Sequence, residues 1–252
     1  MEKLADLIYC EFLKLKRSKI CIIALVGTLG TPLLTILHGI QNHLAHPEND
    51  ISLFGLYDNA IMFLMLIFGL LVFSIIAAYL FSREYTEKTL KTLFVVPISK
   101  KRFLAGKFIA LYLCILFLMI LSWAEILFLV VICNIAIEIA EINFLTALYF
   151  LIKTIYGSIL LYAAITPFAF LAIYSKGLIA PVIAASIIAL GNVILTGSPI
   201  AGYFPWTAAY LMLNGRIQSV GSTPGIVLTI LGLLCFISIL ASVLYFQKED
   251  IQ

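Results

Sequence analysis

Residues 60–81 read AIMFLMLIFGLLVFSIIAAYLF, a run with no charged side chain. At a rise of about 1.5 Å per residue, a helix of this length crosses the roughly 30 Å hydrocarbon core of a bilayer. The whole chain has 252 residues, of which 63% are hydrophobic and 12% charged. Soluble domains are about half apolar and a quarter charged. The sequence therefore predicts an integral membrane protein.

Five further apolar runs have a similar character, so we predict an all-α membrane protein with six transmembrane helices in one domain, residues 1–252. The fifth run is short and the fourth is the longest. The predicted spans are Ile20–Ile40, Ala60–Phe81, Phe108–Cys133, Thr146–Tyr174, Leu178–Thr196 and Pro224–Phe246.

Lys and Arg residues predict the orientation, because they are enriched on the cytoplasmic flanks of membrane spans. They concentrate before the first span, between the second and third, between the fourth and fifth, and after the sixth; only Lys153 and Arg216 fall on the other side. Both termini are therefore predicted to be cytoplasmic. The apolar spans separate these charges, so the net charge of +3 indicates topology and no nucleic-acid partner.

Residues 2–18 are predicted to form an amphipathic helix lying flat at the cytoplasmic interface. Its apolar arc holds Leu4, Leu7, Ile8, Phe12 and Leu15, and its polar arc holds Lys3, Asp6, Lys14 and Arg17. Glu11 interrupts the apolar arc. The alternative is a simple charged flank of the first span.

Directly after the opening stretch comes SREYTEKTLKTLFVVPISKKRFLAGK, residues 82–107. Glu84 with Lys88, and Glu87 with Lys91, have the i,i+4 spacing that supports a helix, so a short cytoplasmic helix is predicted in this stretch. Pro97 discourages its continuation and Ser99 is placed to cap the next helix. An apolar patch on this helix, formed by Leu90, Leu93 and Phe94, either binds a partner or packs on the protein's own spans or the membrane surface.

REYTEKTLKTLFVVPISKKRFLAGK resembles the loop between the second and third spans of ABC-2 type transporter permeases, and EFLKLKRSKI before the first span is similar to the same family. The similarity is greatest to the small bacitracin-resistance and lantibiotic-immunity permeases of Gram-positive bacteria. It implies the transmembrane subunit of an ABC exporter in a bacterial cell membrane, working with a second identical or homologous permease chain and two ATPase subunits. The implied cargo is a hydrophobic or amphipathic peptide, and the alternative cargo is lipid-like.

The resemblance also implies roles for particular residues. The N-terminal helix would be the connecting helix, with Leu4, Ile8, Phe12, Lys14, Leu15 and Arg17 as its characteristic residues. The loop helix would be the coupling helix, over residues 83–95. Its ATPase contacts would be Arg83, Glu84, Thr86, Glu87, Lys88, Thr89, Leu90, Leu93 and Phe94. The chain has no G-x-x-x-x-G-K-[ST] motif, so ATP and Mg²⁺ are expected on the partner ATPase.

Residues 197–222 are an external stretch rich in aromatic and apolar side chains. The family resemblance supports a re-entrant segment here, and the alternative is an ordinary aromatic belt, since Trp and Tyr favour the membrane interface. The residues of interest are Tyr203, Phe204, Pro205, Trp206 and Tyr210.

Glu125 and Lys153 are charges inside predicted spans, at a similar depth below the outer boundary. We expect them to meet as a pair, because an unpaired charge at this depth is costly. Such a pair either staples two helices or contacts substrate. If the fourth span begins later, Lys153 instead lies at the interface and extends its ammonium group outward.

Other functional classes find less support in the sequence. We predict no catalytic residue, no metal site and no cofactor on this chain: it shows neither H-E-x-x-H nor G-x-S-x-G, and its five cysteines lack C-x-x-C spacing. An ATP-independent secondary transporter or channel remains the alternative function, although Glu125 and Lys153 are a small set for ion coupling.

Overall fold

The computed structural model describes residues 4–45, 52–90, 99–136 and 140–248, and throughout these ranges the regular structure is helical. In chain order the helices are α1 (Leu4–Lys16), α2 (Lys19–Ala45), α3 (Leu53–Phe63), α4 (Gly69–Thr86), α5 (Lys100–Ala136), α6 (Phe144–Ser175), α7 (Ile179–Leu195), α8 (Pro205–Leu213) and α9 (Pro224–Lys248). A π-helical turn, Leu64–Phe68, joins α3 to α4. Two short 3₁₀ turns, Pro199–Gly202 and Ile217–Val220, flank α8.

Five helical segments are long and apolar enough to cross a membrane: α2, the continuous α3–α4 segment, α5, α6 and α9. The shorter apolar helix α7 has 17 residues. The expectation of an all-helical, multi-pass membrane protein is thus confirmed in the described ranges.

The long helices extend past the apolar runs that predicted them. The second begins at Leu53 and ends at Thr86, and the third begins at Lys100, eight residues before the predicted Phe108. Ser99 caps that helix as expected, because its Oγ accepts a hydrogen bond from the Arg102 amide at 3.4 Å. The extra turns carry charged side chains, so hydropathy assigns these residues to the loops although their backbone is helical.

Helix α6 lies at the centre of the fold and packs against α9, α4, α5, α8 and α7. It stays continuous through Pro167. Its buried residues are mostly apolar and belong to the same core cluster as those of α3 and α4. The outer faces of α2, α7 and α9 expose Ile, Leu, Val and Phe side chains, as expected of helices that face lipid.

Small residues let α2 approach the π-helical turn and α4 closely. A Cβ on Gly27 would lie 2.5 Å from Val72 Cγ2, and one on Gly30 would lie 2.9 Å from Phe68 Cε1. On the same helix Thr28 and Thr35 are fully buried and bond to backbone carbonyls of their own helix. Close packing of Gly and Thr faces is how membrane helices associate without help from the hydrophobic effect.

The π-helical turn is held by α7. Asn192 is buried and its Nδ2 donates to the Leu66 carbonyl at 3.0 Å. Within a membrane, irregular backbone requires such a partner, because no water is present to satisfy it. Gly69 follows the turn, and a Cβ at this position would collide with the Leu64 carbonyl oxygen.

Candidate coupling site

Helix α1 packs along α5 and the end of α4 through the arc that the sequence predicted. Leu15 is buried, Phe12 and Ile8 are half-buried, and Leu7 lies 3.3 Å from the position of a Cβ on Gly106. Leu4 is exposed and so is Arg17. Glu11, which interrupted the apolar arc, is also buried.

Glu11 is buried together with three other charged side chains, at the point where α1, α4 and α5 converge. We call Glu11, Lys14, Glu84 and Lys107 the α1 ion network. Lys107 Nζ lies 2.8 Å from both carboxylate oxygens of Glu84 and 3.3 Å from Glu11 Oε2, and it also donates to the Leu80 carbonyl. Lys14 Nζ closes the network at 2.7 Å from Glu11 Oε1 and 3.1 Å from Glu84 Oε1.

This network is deeply buried for a charged cluster: Lys107 and Glu84 are each 2% exposed and Glu11 is 5% exposed. Two carboxylates face two ammonium groups, so the network is neutral as a whole. Burial lowers the pKa of Lys14, but the neighbouring Glu11 and Glu84 carboxylates outweigh it and leave that pKa above its usual value. The network ties α1, α4 and α5 together at one point.

Just beyond the network, α4 ends in an exposed turn. Lys88 adopts a left-handed conformation with φ of 54°. The Thr89 amide bonds to the Glu84 carbonyl at 3.1 Å and the Lys88 amide to the Tyr85 carbonyl at 3.2 Å. These two bonds are the Schellman pattern that satisfies the last carbonyls of a helix. Thr86, Glu87 and Lys88 are exposed on this turn.

The helix predicted over residues 83–95 is not a separate element from Arg83 onward, because α4 continues to Thr86 and the chain then reverses at Lys88. Residues 91–95 lie outside the described residues. Glu84 pairs with Lys107 and Lys14, and the predicted Glu84–Lys88 pair does not form. A different i,i+4 pair forms instead, between Arg83 and Glu87 at 2.8 Å.

The apolar patch of this loop is only partly within the described residues. Leu90 is helical, half-buried and packed against the core cluster, which agrees with the alternative that the patch packs on the protein's own spans. Leu93 and Phe94 lie outside the described residues.

At the opposite end of the α3–α4 segment, Asp58 is the centre of a second cluster. Lys153 Nζ lies 3.0 Å from Asp58 Oδ1, and Arg216 Nη2 lies 3.7 Å from Asp58 Oδ2. Lys153 is buried whereas Arg216 is exposed. The expected partnership of Lys153 with Glu125 is wrong, since Asp58 takes that place.

Glu125 lies half-buried on α5, and its Oε2 has no hydrogen-bond partner among the described residues. The neighbouring Trp123 instead links α5 to its neighbours: its carbonyl accepts from Tyr57 Oη at 3.2 Å, and its Nε1 donates to the Ala147 carbonyl at 2.9 Å.

Helix α8 packs deep against α6. Trp206 Nε1 donates to the Ala164 carbonyl at 2.9 Å, and Leu213 Cδ2 lies 3.0 Å from the position of a Cβ on Gly157. Both contact points lie well inside the 32-residue helix α6. The residues of this segment differ in exposure: Tyr210 is buried, Phe204, Pro205 and Trp206 are half-buried, and Tyr203 is exposed.

Sequence reasoning missed Lys107 and Asp58 as members of these clusters, and it noted Glu11 only as an anomaly. Each of the three did leave a signal, namely a charge at a position that the surrounding helical pattern assigns to an apolar face. No group of three or more His, Cys, Asp and Glu side chains suited to a metal ion occurs in the ranges that the structure describes.

The long apolar helices form a bundle, and its two charged clusters lie near the two ends of the α3–α4 segment. This architecture defines a multi-pass cell-membrane protein. The sequence profile of the family described as "ABC-2 family transporter protein" matches residues 7–192. The chain belongs to this family of ABC transporter permeases. It is also similar to the bacitracin transport permease protein BCRB of Bacillus licheniformis, with 24% identity over 216 residues that cover 82% of this chain and 97% of the relative.

Proposed function

We propose that this chain is the permease subunit of an ATP-driven exporter, with ATP hydrolysis on separate subunits docked at the exposed turn Thr86–Lys88. Permeases of this family generally work with an ABC ATPase. The observation that carries the proposal is the α1 ion network, because it fixes the base of that turn to α1 and α5. A force applied at the turn is then transmitted to three helices at once, as a coupling element requires.

The proposed topology has six spans in a single transmembrane domain, with both termini in the cytoplasm. From Asp58 to Glu84 a helix rises by about 39 Å, which matches the roughly 40 Å between the two headgroup regions. The two charged clusters then lie at opposite membrane faces. Helix α7 supplies the sixth span, since its 17 residues are at the lower limit for crossing.

Native cysteines test this topology. Cys10 lies exposed on α1 and Cys133 lies half-buried near the other end of α5. A membrane-impermeant maleimide applied to intact cells is expected to label Cys133 and to reach Cys10 only after permeabilisation. Labelling of Cys10 in intact cells would contradict the cytoplasmic N-terminus.

We also propose that residues 197–222 form a re-entrant segment beside the exit pathway. The contacts of Trp206 with Ala164 and of Leu213 with Gly157 support this, since they place α8 alongside the middle of α6. An aromatic belt alone does not account for a buried Tyr210 or for a Trp206 bonded to a mid-helix carbonyl.

The proposed cargo is a hydrophobic or amphipathic peptide, with a lipid-like molecule as the alternative. The relative's name, a bacitracin transport permease, supports peptide. A second permease chain, identical or homologous, completes the proposed pathway.

Affinity purification from native membranes tests the docking of the ATPase. An ATP-hydrolysing subunit should co-purify with the wild-type chain, and Glu87→Lys should reduce its recovery because it reverses a charge on the exposed turn. Lys101→Glu is the matched control, since Lys101 is also exposed at this end of the molecule but lies on α5. Recovery of the chain without any ATPase, or equal losses in both variants, would refute docking at this turn.

A susceptibility assay separates transport from assembly. Cells carrying Glu84→Ala should become more sensitive to the peptide antibiotic, although the permease remains in the membrane. Normal resistance in that variant would argue against coupling through the network.

A further inference from the structure

An apolar cavity of about 160 Å³ lies between α1, α2, α4 and α5. Its hydrocarbon walls include Phe12, Leu15, Ile20, Ala24, Ile76 and Phe117. Cys21 and Cys114 also line it, and Lys16 is its charged residue. None of these side chains belongs to the α1 ion network, so the cavity is separate from the coupling site.

The inner part of the cavity lies deeper in the bundle than the α1 ion network. Cys114 lies seven residues along α5 from Lys107, and Ile76 lies eight residues along α4 from Glu84. At the helical rise these separations place its inner end about 10–12 Å deeper than the network. Phe117 on its wall is 60% exposed, so the cavity opens sideways onto the lipid-facing surface.

Lys16 lines the cavity, and two further basic residues, Arg17 and Lys19, follow it in sequence at the junction of α1 and α2. Lys16, Arg17 and Lys19 are all exposed. None of the three forms an ion pair within the described part of the chain. An apolar slot open to lipid, with unpaired positive charges at its polar end, matches a molecule that has a hydrocarbon chain and an anionic head.

We propose that this cavity binds one acyl chain of an anionic phospholipid from the leaflet on the side of α1, with the headgroup phosphate against Lys16, Arg17 and Lys19. The hydrocarbon lining excludes an ion or sugar as the occupant, because a polar ligand would lose its hydrogen bonds there. The basic residues favour an anionic head over a zwitterionic one, since each Lys or Arg near such a headgroup strengthens binding by roughly fivefold.

Because α1 forms one wall, the bound lipid packs between α1 and the bundle. It therefore stabilises the docked position of α1 on which the ion network depends. This inference concerns lipid binding alone and holds whether or not the chain exports peptides.

Native mass spectrometry of the full-length protein tests the charge selectivity. The protein is incubated in detergent with phosphatidylglycerol or with phosphatidylcholine of the same acyl chains. Wild type should retain one phosphatidylglycerol at least fivefold more tightly than phosphatidylcholine. Lys16→Gln should weaken phosphatidylglycerol by about fivefold and leave phosphatidylcholine unchanged, while the exposed Lys101→Gln should change neither.

The cavity itself is tested by filling it. Cys21→Trp places an indole in the slot and should abolish the tight lipid site, whereas Cys235→Trp on α9 should leave it intact. In wild type, phosphatidylglycerol should also slow the alkylation of Cys21 by N-ethylmaleimide, which checks the site without any substitution.

Three results would overturn the proposal. These are equal retention of the two lipids by wild type, tight binding that survives Cys21→Trp, and a dimer that is lost on filling the cavity while lipid binding is unchanged. The last result would assign the cavity to a second copy of the chain.

Discussion

Removal of Lys107 should be among the most damaging single substitutions in this protein. Its Nζ forms ion pairs with both Glu84 and Glu11, at 2.8 and 3.3 Å, and Lys107 is 2% exposed. Lys107→Met leaves two buried carboxylates with Lys14 as their one remaining partner in the network. Breaking a buried ion pair in this way costs about 3–5 kcal/mol, which corresponds to a fall in Tm of roughly 6–20 °C for a chain of this size.

The assay is thermal unfolding of the purified protein in detergent, followed by the fluorescence of Trp123 and Trp206, which lie away from the network. Lys101→Met on the same helix is the control, and as an exposed substitution it should change stability by no more than about 0.5 kcal/mol. Glu84→Gln combined with Lys107→Met restores a matched Glu11–Lys14 pair. The double variant should therefore be more stable than the sum of the single losses by about 1–3 kcal/mol, and additive losses would refute the network as a coupled unit.

Three further substitutions test other parts of the fold by the same unfolding measurement. Asp58→Asn removes the charge partner of the buried Lys153 and should cost about 2–3 kcal/mol, whereas Arg216→Gln should cost under about 1 kcal/mol; equal effects would contradict the geometry of the cluster. Gly157→Leu should destabilise the protein by about 1–3 kcal/mol because it pushes Leu213 and α8 from α6, while Gly191→Leu, at a position with open space around it, should not. Lys88→Gly should stabilise the protein by about 1 kcal/mol because glycine adopts φ of 54° without strain, and a loss of stability would argue against the left-handed turn.

The local physics of the chain was sufficient for much of the fold. Apolar runs longer than a bilayer is thick require helices, because only helices satisfy every backbone group within a segment. The five long spanning helices therefore followed directly from residue order. The apolar arc of α1 and the cap at Ser99 also followed from residue order. These features depend on neighbours a few residues apart, which a sequence displays.

The partners of the buried charges were decided by the tertiary structure alone. The i,i+4 spacing predicted Lys88 as the partner of Glu84, and a similar depth in the membrane predicted Glu125 as the partner of Lys153. The actual partners, Lys107 and Asp58, lie 23 and 95 residues away in sequence, and they meet because of how α3, α4, α5 and α6 pack and rotate about their axes. Hydropathy reports where a membrane helix lies along the chain and leaves its rotation undetermined, and rotation decides which charge a buried charge will meet.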